Sequence, residues 1–224
     1  APWRSANAVA DFTVGMMIAE NKNIARSHHL LMEGKWCKKY DNQSYIHDMR
    51  KMTVGIIGYG YIGQRVRMRL QGFECKVLVH DPYADPKQFA DHNVEFVALD
   101  ELLRQSDMVT LHLRLSEKTE HFIGKDELSK MKSTAYLINT ARAGLVDTAA
   151  LADALRDHMI GGAAIDVYDV EPLPADHPYL RLSNITLTSH LAGTSCDTMM
   201  TSVEIGLEDL KRYLTGEEMI NIRN

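Results

Sequence analysis

The segment VGIIGYGYIG, residues 54–63, decides the fold, because it joins a β-branched run to a glycine turn and then to a helical pattern. Its glycines stand at Gly58, Gly60 and Gly63 and have the spacing GxGxxG. The first glycine permits a tight turn, the second lets backbone approach a pyrophosphate, and the third lets the helix pack on the strand. The helix N-terminus then attracts negative charge. The segment predicts a dinucleotide-binding βαβ unit; the alternative is a glycine turn of an unrelated sheet.

An acidic residue ends the second predicted strand. Asp81 comes after KVLVH, residues 76–80, at the position about 20 residues on where a carboxylate accepts hydrogen bonds from the adenosine ribose. A 2′-phosphate there would place like charges ~4 Å apart, which is unfavourable by up to about 4 kcal/mol at an effective dielectric of ~20. The sequence therefore predicts NAD rather than NADP, although Lys87 in the next loop could weaken the preference. The intervening helix carries three arginines that we interpret as a solvated face: Arg65, Arg67 and Arg69.

Beyond this unit, short β-branched runs alternate with helical patterns along the chain. Such alternation is typical of a parallel sheet covered by helices on both faces. We therefore predict an α/β fold, a doubly wound parallel sheet of the Rossmann type. The predicted strands are residues 53–58, 76–81, 94–97, 107–113, 135–140, 161–167 and 184–189, and the predicted helices between them are residues 62–73, 99–105, 125–131 and 147–156.

The two ends of the chain have different patterns. Apolar residues at helical spacing over residues 7–32 predict one long helix or two, and residues 33–49 have the polar and aromatic composition of an irregular connector. Residues 196–214 predict a last helix before a short tail. We expect three parts: residues 1–50 as a linking helix and connector, residues 51–195 as an NAD-binding Rossmann domain, and residues 196–224 as a C-terminal linking helix and tail. Both linking helices should expose apolar surface.

The composition is that of a soluble globular protein. Hydrophobic residues make up 45% of the 224 residues and charged residues 25%. The net charge of −5 is mixed along the chain, which argues against nucleic acid and membrane partners. Cys37, Cys75 and Cys196 have no CxxC spacing, so we expect neither a disulfide framework nor a metal site. No apolar run reaches the ~20 residues that would span a bilayer, and a cytoplasmic location is expected.

Three further segments each place polar groups after a predicted strand, where ligands bind in open α/β sheets. They are LINTARAGLVD (residues 137–147), AIDVYDVEPLP (residues 164–174) and TLTSHLAGTS (residues 186–195). Together with the glycine turn and HDPY at residues 80–83, they make the sequence similar to the D-2-hydroxyacid dehydrogenase family over nearly its whole length. The resemblance implies an oxidoreductase that moves a hydride between NAD and a small 2-hydroxy or 2-oxo acid, and commonly a homodimer.

The resemblance also implies roles for individual residues. Arg142 would bind the substrate, His190 would donate the proton, Glu171 would partner the histidine, and Asp166 would contact the nicotinamide carboxamide. The predicted cofactor-binding set is Gly58, Gly60, Tyr61, Ile62, Gly63, Asp81, Thr140, Ala141, Asp166 and Gly193.

The chemistry of a 2-oxo acid reduction agrees with the three reactive residues. An arginine is a planar two-pronged donor that stays charged at any working pH, which suits the substrate carboxylate and the developing alkoxide. A histidine has an unperturbed pKa of about 6.5, close to the operating pH, which suits proton transfer to the carbonyl oxygen. A carboxylate beside the histidine favours the imidazolium and fixes the ring.

Each assignment has an alternative. Arg142 could pair with a surface acid, and Asp166 and Glu171 could bind nearby backbone only. His112, which also ends a predicted strand, is the strongest competitor of His190 among the ten histidines. The chain also departs from frequent family residues: Arg114 stands where a proline is common, which leaves the shape of that cofactor loop open, Ala143 where glycine is common, and Ser189 where proline is common.

Two other functions stay open at this stage. The family architecture also serves corepressors that sense NAD(H), and the intact reactive residues do not exclude such a binding role. Formate dehydrogenase is a third possibility, against which Glu171 speaks because glutamine is typical there. Family members carry an additional N-terminal substrate domain. We therefore expect this chain to be a nucleotide-binding portion that binds the cofactor but has far lower catalytic activity than a complete enzyme.

Overall fold

A single parallel sheet organises the protein. The computed structural model describes residues 4–220, so the outermost parts of the predicted linking segment and tail, residues 1–3 and 221–224, lie outside the described residues. The strand order is β3-β2-β1-β4-β5-β6-β7, and every neighbouring pair is parallel. The strands are β1 Thr53–Ile57, β2 Lys76–His80, β3 Glu95–Phe96, β4 Met108–Leu111, β5 Tyr136–Asn139, β6 Gly162–Ile165 and β7 Ile185–Leu187. The predicted doubly wound fold is confirmed.

The helices lie close to their predicted positions. They are α1 Ala6–Asn21, α2 Ile24–Met32, α3 Tyr61–Leu70, α4 Leu99–Gln105, α5 Lys125–Lys130, α6 Thr148–Arg156 and α7 Cys196–Thr215. The predicted initial helical region is two helices rather than one. The break falls at Asn23, which has a left-handed backbone with φ of 56° and cannot continue a right-handed helix.

Two apolar cores lie on opposite faces of the sheet, because successive strand residues point to opposite sides. One core joins Ile57, Val109 and Leu137 to α4, α5 and α6. The other joins Ile56, Val79 and Ile138 to α1 and α3. Coverage of both faces explains why the strands are almost continuously apolar.

The expectation that both linking segments expose apolar surface holds in part. Within the first segment it is wrong for α1, which buries Val9, Val14, Met16 and Met17 against α3 and strands β5 to β7. It holds for α2, which has no buried residue and exposes Ile24, Leu31 and Met32. It holds for α7, which has no buried residue and exposes an apolar row. That row comprises Met199, Met200, Val203, Leu207, Leu210, Tyr213 and Leu214.

The direction of the strand order reverses between β1 and β4. Strands β2 and β3 extend the sheet on one side of β1, and β4 to β7 extend it on the other side. In open α/β sheets the connections diverge at such a point and leave a crevice at the carboxyl ends of the strands. The loops after β1, β2, β5, β6 and β7 therefore meet at one edge.

Candidate active site

The glycine turn after β1 has the shape that a pyrophosphate requires. Gly58 has φ of +90°, and a side chain there would lie 2.9 Å from the carbonyl group of His112. A side chain at Gly63 would collide with the carbonyl oxygen of Gly58, so this glycine brings α3 close to the turn. At Gly60 a Cβ atom would have nothing within 4 Å. The turn thus leaves open space beside the N-terminus of α3, where backbone N–H groups and the helix dipole favour an anion.

Asp81 is fixed next to this turn. Its Oδ2 accepts a hydrogen bond from the backbone N–H of Tyr59 at 2.7 Å, and its Oδ1 accepts from the N–H of Tyr83 at 2.9 Å. The carboxylate stays partly accessible at the carboxyl end of β2. The residues present therefore fit a dinucleotide whose pyrophosphate lies at Gly60 and whose ribose reaches Asp81.

The first residues of α3 complete that surface. Tyr61 is exposed, and its ring lies 3.4 Å below the guanidinium of Arg65. Ile62 is half-buried and packs on the core that includes α1 and α3. Tyr61 and Ile62 thus provide an exposed aromatic group and an anchoring apolar group at the start of the helix.

The turn after β5 carries the predicted substrate arginine. Asn139 holds the turn, because its Oδ1 accepts from Ala141 N at 3.0 Å and its Nδ2 donates to the carbonyl of Arg142 at 2.9 Å. The Arg142 guanidinium is exposed and donates to the Ala141 carbonyl at 2.6 Å. The Thr140 hydroxyl is buried and lies 2.7 Å from the hydroxyl of Thr13 on α1. The turn therefore points Arg142 outward and ties Thr140 to α1.

His190 and Glu171 form a pair across two loops. Nδ1 of His190 lies 2.8 Å from Oε2 and 2.9 Å from Oε1 of Glu171. Glu171 Oε1 also accepts from Tyr168 N at 3.1 Å. The side chains are 47% and 38% exposed, so substrate could reach them. With Nδ1 facing the carboxylate, Nε2 is the ring nitrogen left to exchange a proton.

The electrostatics of the pair favour a charged carboxylate. The hydrogen bond from His190 holds the pKa of Glu171 below its ordinary value, helped by the Tyr168 N–H and by the charges of His190 and Arg142. Arg142 therefore lies within electrostatic range of the pair. A base held by a carboxylate beside a cation is an arrangement suited to proton transfer on an anionic substrate.

Asp166 organises the loop that carries His190. Its side chain is completely buried, Oδ1 accepts from the Thr188 hydroxyl at 2.6 Å and from Leu191 N at 2.9 Å, and Oδ2 accepts from Ala192 N at 2.9 Å. His190 lies inside this loop and has φ of 57°. The carboxylate therefore binds a side chain before the histidine and two backbone N–H groups after it.

Gly193 lies where the same loop meets the beginning of α1. A Cβ atom at this glycine would lie 3.5 Å from the Cβ of Ser5, which is ordinary contact. The loop after β7 thus packs against the segment that leads into α1. The predicted cofactor residue is therefore part of the contact between these two segments.

His112 is unsuited to donating a proton near neutral pH. Burial lowers the pKa of His112 to about 3, so the ring is neutral. Its Nδ1 is enclosed without a hydrogen-bond partner among residues 4–220, and its Nε2 lies 3.1 Å from the Thr110 hydroxyl. This geometry disfavours the competitor that the sequence left open.

The interpretation of the three arginines as a solvated helix face is wrong for Arg67, which is only 6% exposed. Arg65 and Arg69 reach Asn7 and Asp11 on α1. Helix α3 packs along α1. Helix α1 therefore covers a face of α3 that the helical periodicity of the sequence could not assign to the interior.

Sequence reasoning also missed two residues that shape the site, Asn139 and Thr188. Each stands near the end of a predicted strand, inside a segment that was already singled out. A small polar side chain at a strand end was the available signal, because such residues bind nearby backbone in turns.

Among residues 4–220, no group of three or more His, Cys, Asp or Glu side chains is placed to hold a metal ion. No helix in the same range is long and apolar enough to cross a membrane.

Comparison with known proteins identifies relatives of this architecture. The profile described as D-isomer specific 2-hydroxyacid dehydrogenase, NAD binding domain, matches residues 14–192. A glyoxylate reductase of Thermofilum pendens is 38% identical over 219 residues, which cover 96% of this chain and 64% of that protein. A D-3-phosphoglycerate dehydrogenase of Methanocaldococcus jannaschii is 37% identical, and the match covers 42% of its length. The chain thus spans less than two thirds of these two relatives.

A solved structure agrees with the sequence relatives. The crystal structure of D-lactate dehydrogenase with NAD⁺ from Lactobacillus jensenii superposes with a TM-score of 0.87 at 29% identity, covering 100% of this chain and 70% of that chain. The similarity extends from α1 to α7.

Proposed function

Because this chain belongs to the D-isomer specific 2-hydroxyacid dehydrogenase family, we propose that it serves hydride transfer between NAD(H) and a small D-2-hydroxy acid or its 2-oxo partner. The observation that carries the proposal is the His190–Glu171 pair at 2.8 Å, on the same sheet edge as the glycine turn. Such a reaction needs a proton donor and a dinucleotide-binding turn close together, and both lie at the carboxyl edge of the sheet.

His190 supplies the proton in this proposal. When bound, the nicotinamide supplies or accepts the hydride. As the carbonyl oxygen of a 2-oxo acid gains negative charge, Nε2 of His190 gives it a proton, and in the oxidation direction the same nitrogen takes the hydroxyl proton. Glu171 orients the ring through Nδ1 and stabilises the imidazolium.

Arg142 receives the substrate carboxylate. Its guanidinium is exposed and makes one short contact to its own turn, which leaves further N–H groups for an incoming anion. A two-pronged contact fixes the carboxylate and hence the position of the neighbouring carbon. Asn139 and Asp166 position the two loops and touch no substrate atom in this proposal.

The cofactor preference follows from Asp81. Its carboxylate is held in place by two backbone N–H groups, so it cannot turn away from a 2′-phosphate without breaking them. We propose NAD over NADP for this reason, with Tyr61, Ile62, Thr140, Ala141, Asp166 and Gly193 as the further predicted cofactor residues.

We also propose a homodimer in a reducing, cytoplasmic setting. The exposed apolar row of α7 and a second patch at Leu31, Met32 and Trp36 are surfaces that a second copy could cover. Cys37 and Cys196 are exposed free thiols, which suits a reducing compartment. Light scattering should give twice the chain mass of 25.3 kDa, and aspartate substitutions in each patch should show which one mediates association.

The decisive experiment measures NADH oxidation by the full-length protein with glyoxylate, hydroxypyruvate and pyruvate. His190→Ala should reduce turnover by ~10²–10⁴-fold, the usual contribution of general acid catalysis, while NADH affinity stays within a few-fold. His29→Ala, on exposed α2, is the matched control and should keep full turnover. Unchanged turnover in His190→Ala would refute the proposed site.

A further inference from the structure

One buried arginine has no partner in this structure. Arg67 is only 6% exposed, its Nη2 is fully enclosed, and its guanidinium makes no hydrogen bond or ion pair with any residue in the range 4–220. Arginine cannot lose its charge in a protein. A buried, uncompensated charge costs several kcal/mol, so a partner from outside the chain is expected.

Arg67 is one of the residues that line a cavity of about 390 Å³. The cavity lies between the end of α3, the beginning of β2 and the segment before β3. Gln71, His92 and Asn93 also line this cavity, and Nδ1 of His92 lies 2.9 Å from the Tyr59 hydroxyl. A second cavity of about 470 Å³ shares part of this lining and adds Arg50 and Lys76.

This cavity is separate from the dinucleotide crevice. Its walls include Val77 at the start of β2, whereas Asp81 follows the end of that strand. Leu70 and Gln71 come from the far end of α3, whose first turn faces Gly60. The cavity thus opens at the amino edge of the sheet, opposite the proposed active site.

The charges around the two cavities leave an excess of positive charge. Lys76 is neutralised by Glu95 at 2.9 Å. Arg50, Arg67 and Glu74 form no ion pair within the described part of the chain, which gives two cations against one carboxylate. Glu74 is exposed, so its charge stays in water.

We propose that this cavity binds a compact oxyanion, of which inorganic phosphate is the simplest member, through the guanidinium of Arg67. The planar guanidinium offers two parallel N–H donors to the anion. The amides of Gln71 and Asn93 can donate to the remaining oxygens. The anion would supply the charge that the buried arginine lacks, at a site unconnected with hydride transfer.

Phosphate titration by calorimetry tests the proposal. Because phosphate could also bind at the glycine turn, the titration uses Gly60→Val as the background, where that turn is blocked. Saturable binding should persist there and weaken at least about tenfold when Arg67→Met is added. Arg104→Met, an exposed arginine on α4, is the matched control and should change nothing. Equal binding with and without Arg67, or no saturable binding, would overturn the proposal and leave water as the partner of the guanidinium.

Two further variants keep the test independent of folding defects. Removal of an uncompensated buried charge should leave the phosphate-free Arg67→Met variant as stable as the parent or more stable. If that variant fails to fold, Arg67→Lys is the alternative. It retains the positive charge but lacks the two parallel N–H donors of the guanidinium, so it should still weaken phosphate binding several-fold. Glu74→Gln removes a carboxylate that lines the cavity and should tighten phosphate binding; a weaker affinity in that variant would contradict the proposed anion.

Discussion

Glu171 Oε2 lies 2.8 Å from Nδ1 of His190, although the two residues stand 19 positions apart on separate loops. Asp166 fixes the backbone next to His190, and Tyr168 N–H fixes the carboxylate of Glu171. The pair is therefore held from both sides before any substrate arrives.

Glu171→Gln should slow the reduction. Without the carboxylate the His190 ring loses the contact at Nδ1 that orients Nε2 toward the substrate. Turnover should therefore fall by about tenfold or more, equivalent to about 1.4 kcal/mol or more. Steady-state rates of 2-oxo acid reduction at a fixed pH measure the effect. Asp169→Asn makes the same charge change on a carboxylate bonded to Thr148 and should keep full turnover.

The same pair should affect stability only in one pH range. The pKa of Glu171 is lowered in the folded protein, so its stabilisation is present above the ordinary value of 4.5 and is lost as the pH falls through the lowered value. At neutral pH the free energy of unfolding, measured with a chemical denaturant, should be slightly higher for the parent than for Glu171→Gln. The difference should be small because the side chains of His190 and Glu171 are both partly exposed. The difference in unfolding free energy should shrink as the pH is lowered, and a difference that grows on acidification would contradict the prediction.

Gly60 and Gly63 of the turn should respond differently to substitution. Gly60→Val should abolish NADH binding and leave the melting temperature unchanged, because the new side chain enters open space. Gly63→Ala should destabilise the fold by about 1–3 kcal/mol, since its Cβ collides with the Gly58 carbonyl. Gly72→Val, equally open but in the short 3-10 turn after α3, serves as the control for binding. Fluorescence titration and thermal unfolding separate the two effects, and NADH binding by Gly60→Val would contradict the proposed cradle.

Asp81 should set the choice between the two cofactors. NADH should bind at least about tenfold more tightly than NADPH, or 1.4 kcal/mol, and Asp81→Asn should reduce that ratio because the repulsion of the 2′-phosphate is lost. Asp85→Asn changes a neighbouring carboxylate that caps Lys87 N and should preserve the ratio. Parallel titrations with both cofactors give the answer; equal affinities in the parent protein would refute the assignment.

Asp166→Asn should loosen the loop that carries His190. An amide can replace only one of the two oxygens that accept from Thr188, Leu191 and Ala192, so a loss of about 1.5–3 kcal/mol is expected. Thr188→Val removes one of these bonds and should cost about 1 kcal/mol. Denaturant unfolding measures both, and unchanged stability in Asp166→Asn would show that the carboxylate is not needed by the loop.

The sequence by itself determined the strand and helix pattern, the glycine turn and the strand-end position of Asp81, Arg142 and His190. These features depend on local quantities: side-chain alternation, backbone freedom at glycine, and the rule that ligands collect at the carboxyl ends of parallel strands. Each can be recognised from a short segment and its flanks.

Only the tertiary structure decided which side chains meet. It brought Glu171 to His190, turned Asp166 into the anchor of the loop after β7, and enclosed Nδ1 of the half-buried His112. It also buried Arg67, which periodicity assigned to a solvated face. Burial and pairing depend on which distant elements pack together, and that choice is made by the whole core rather than by any one segment.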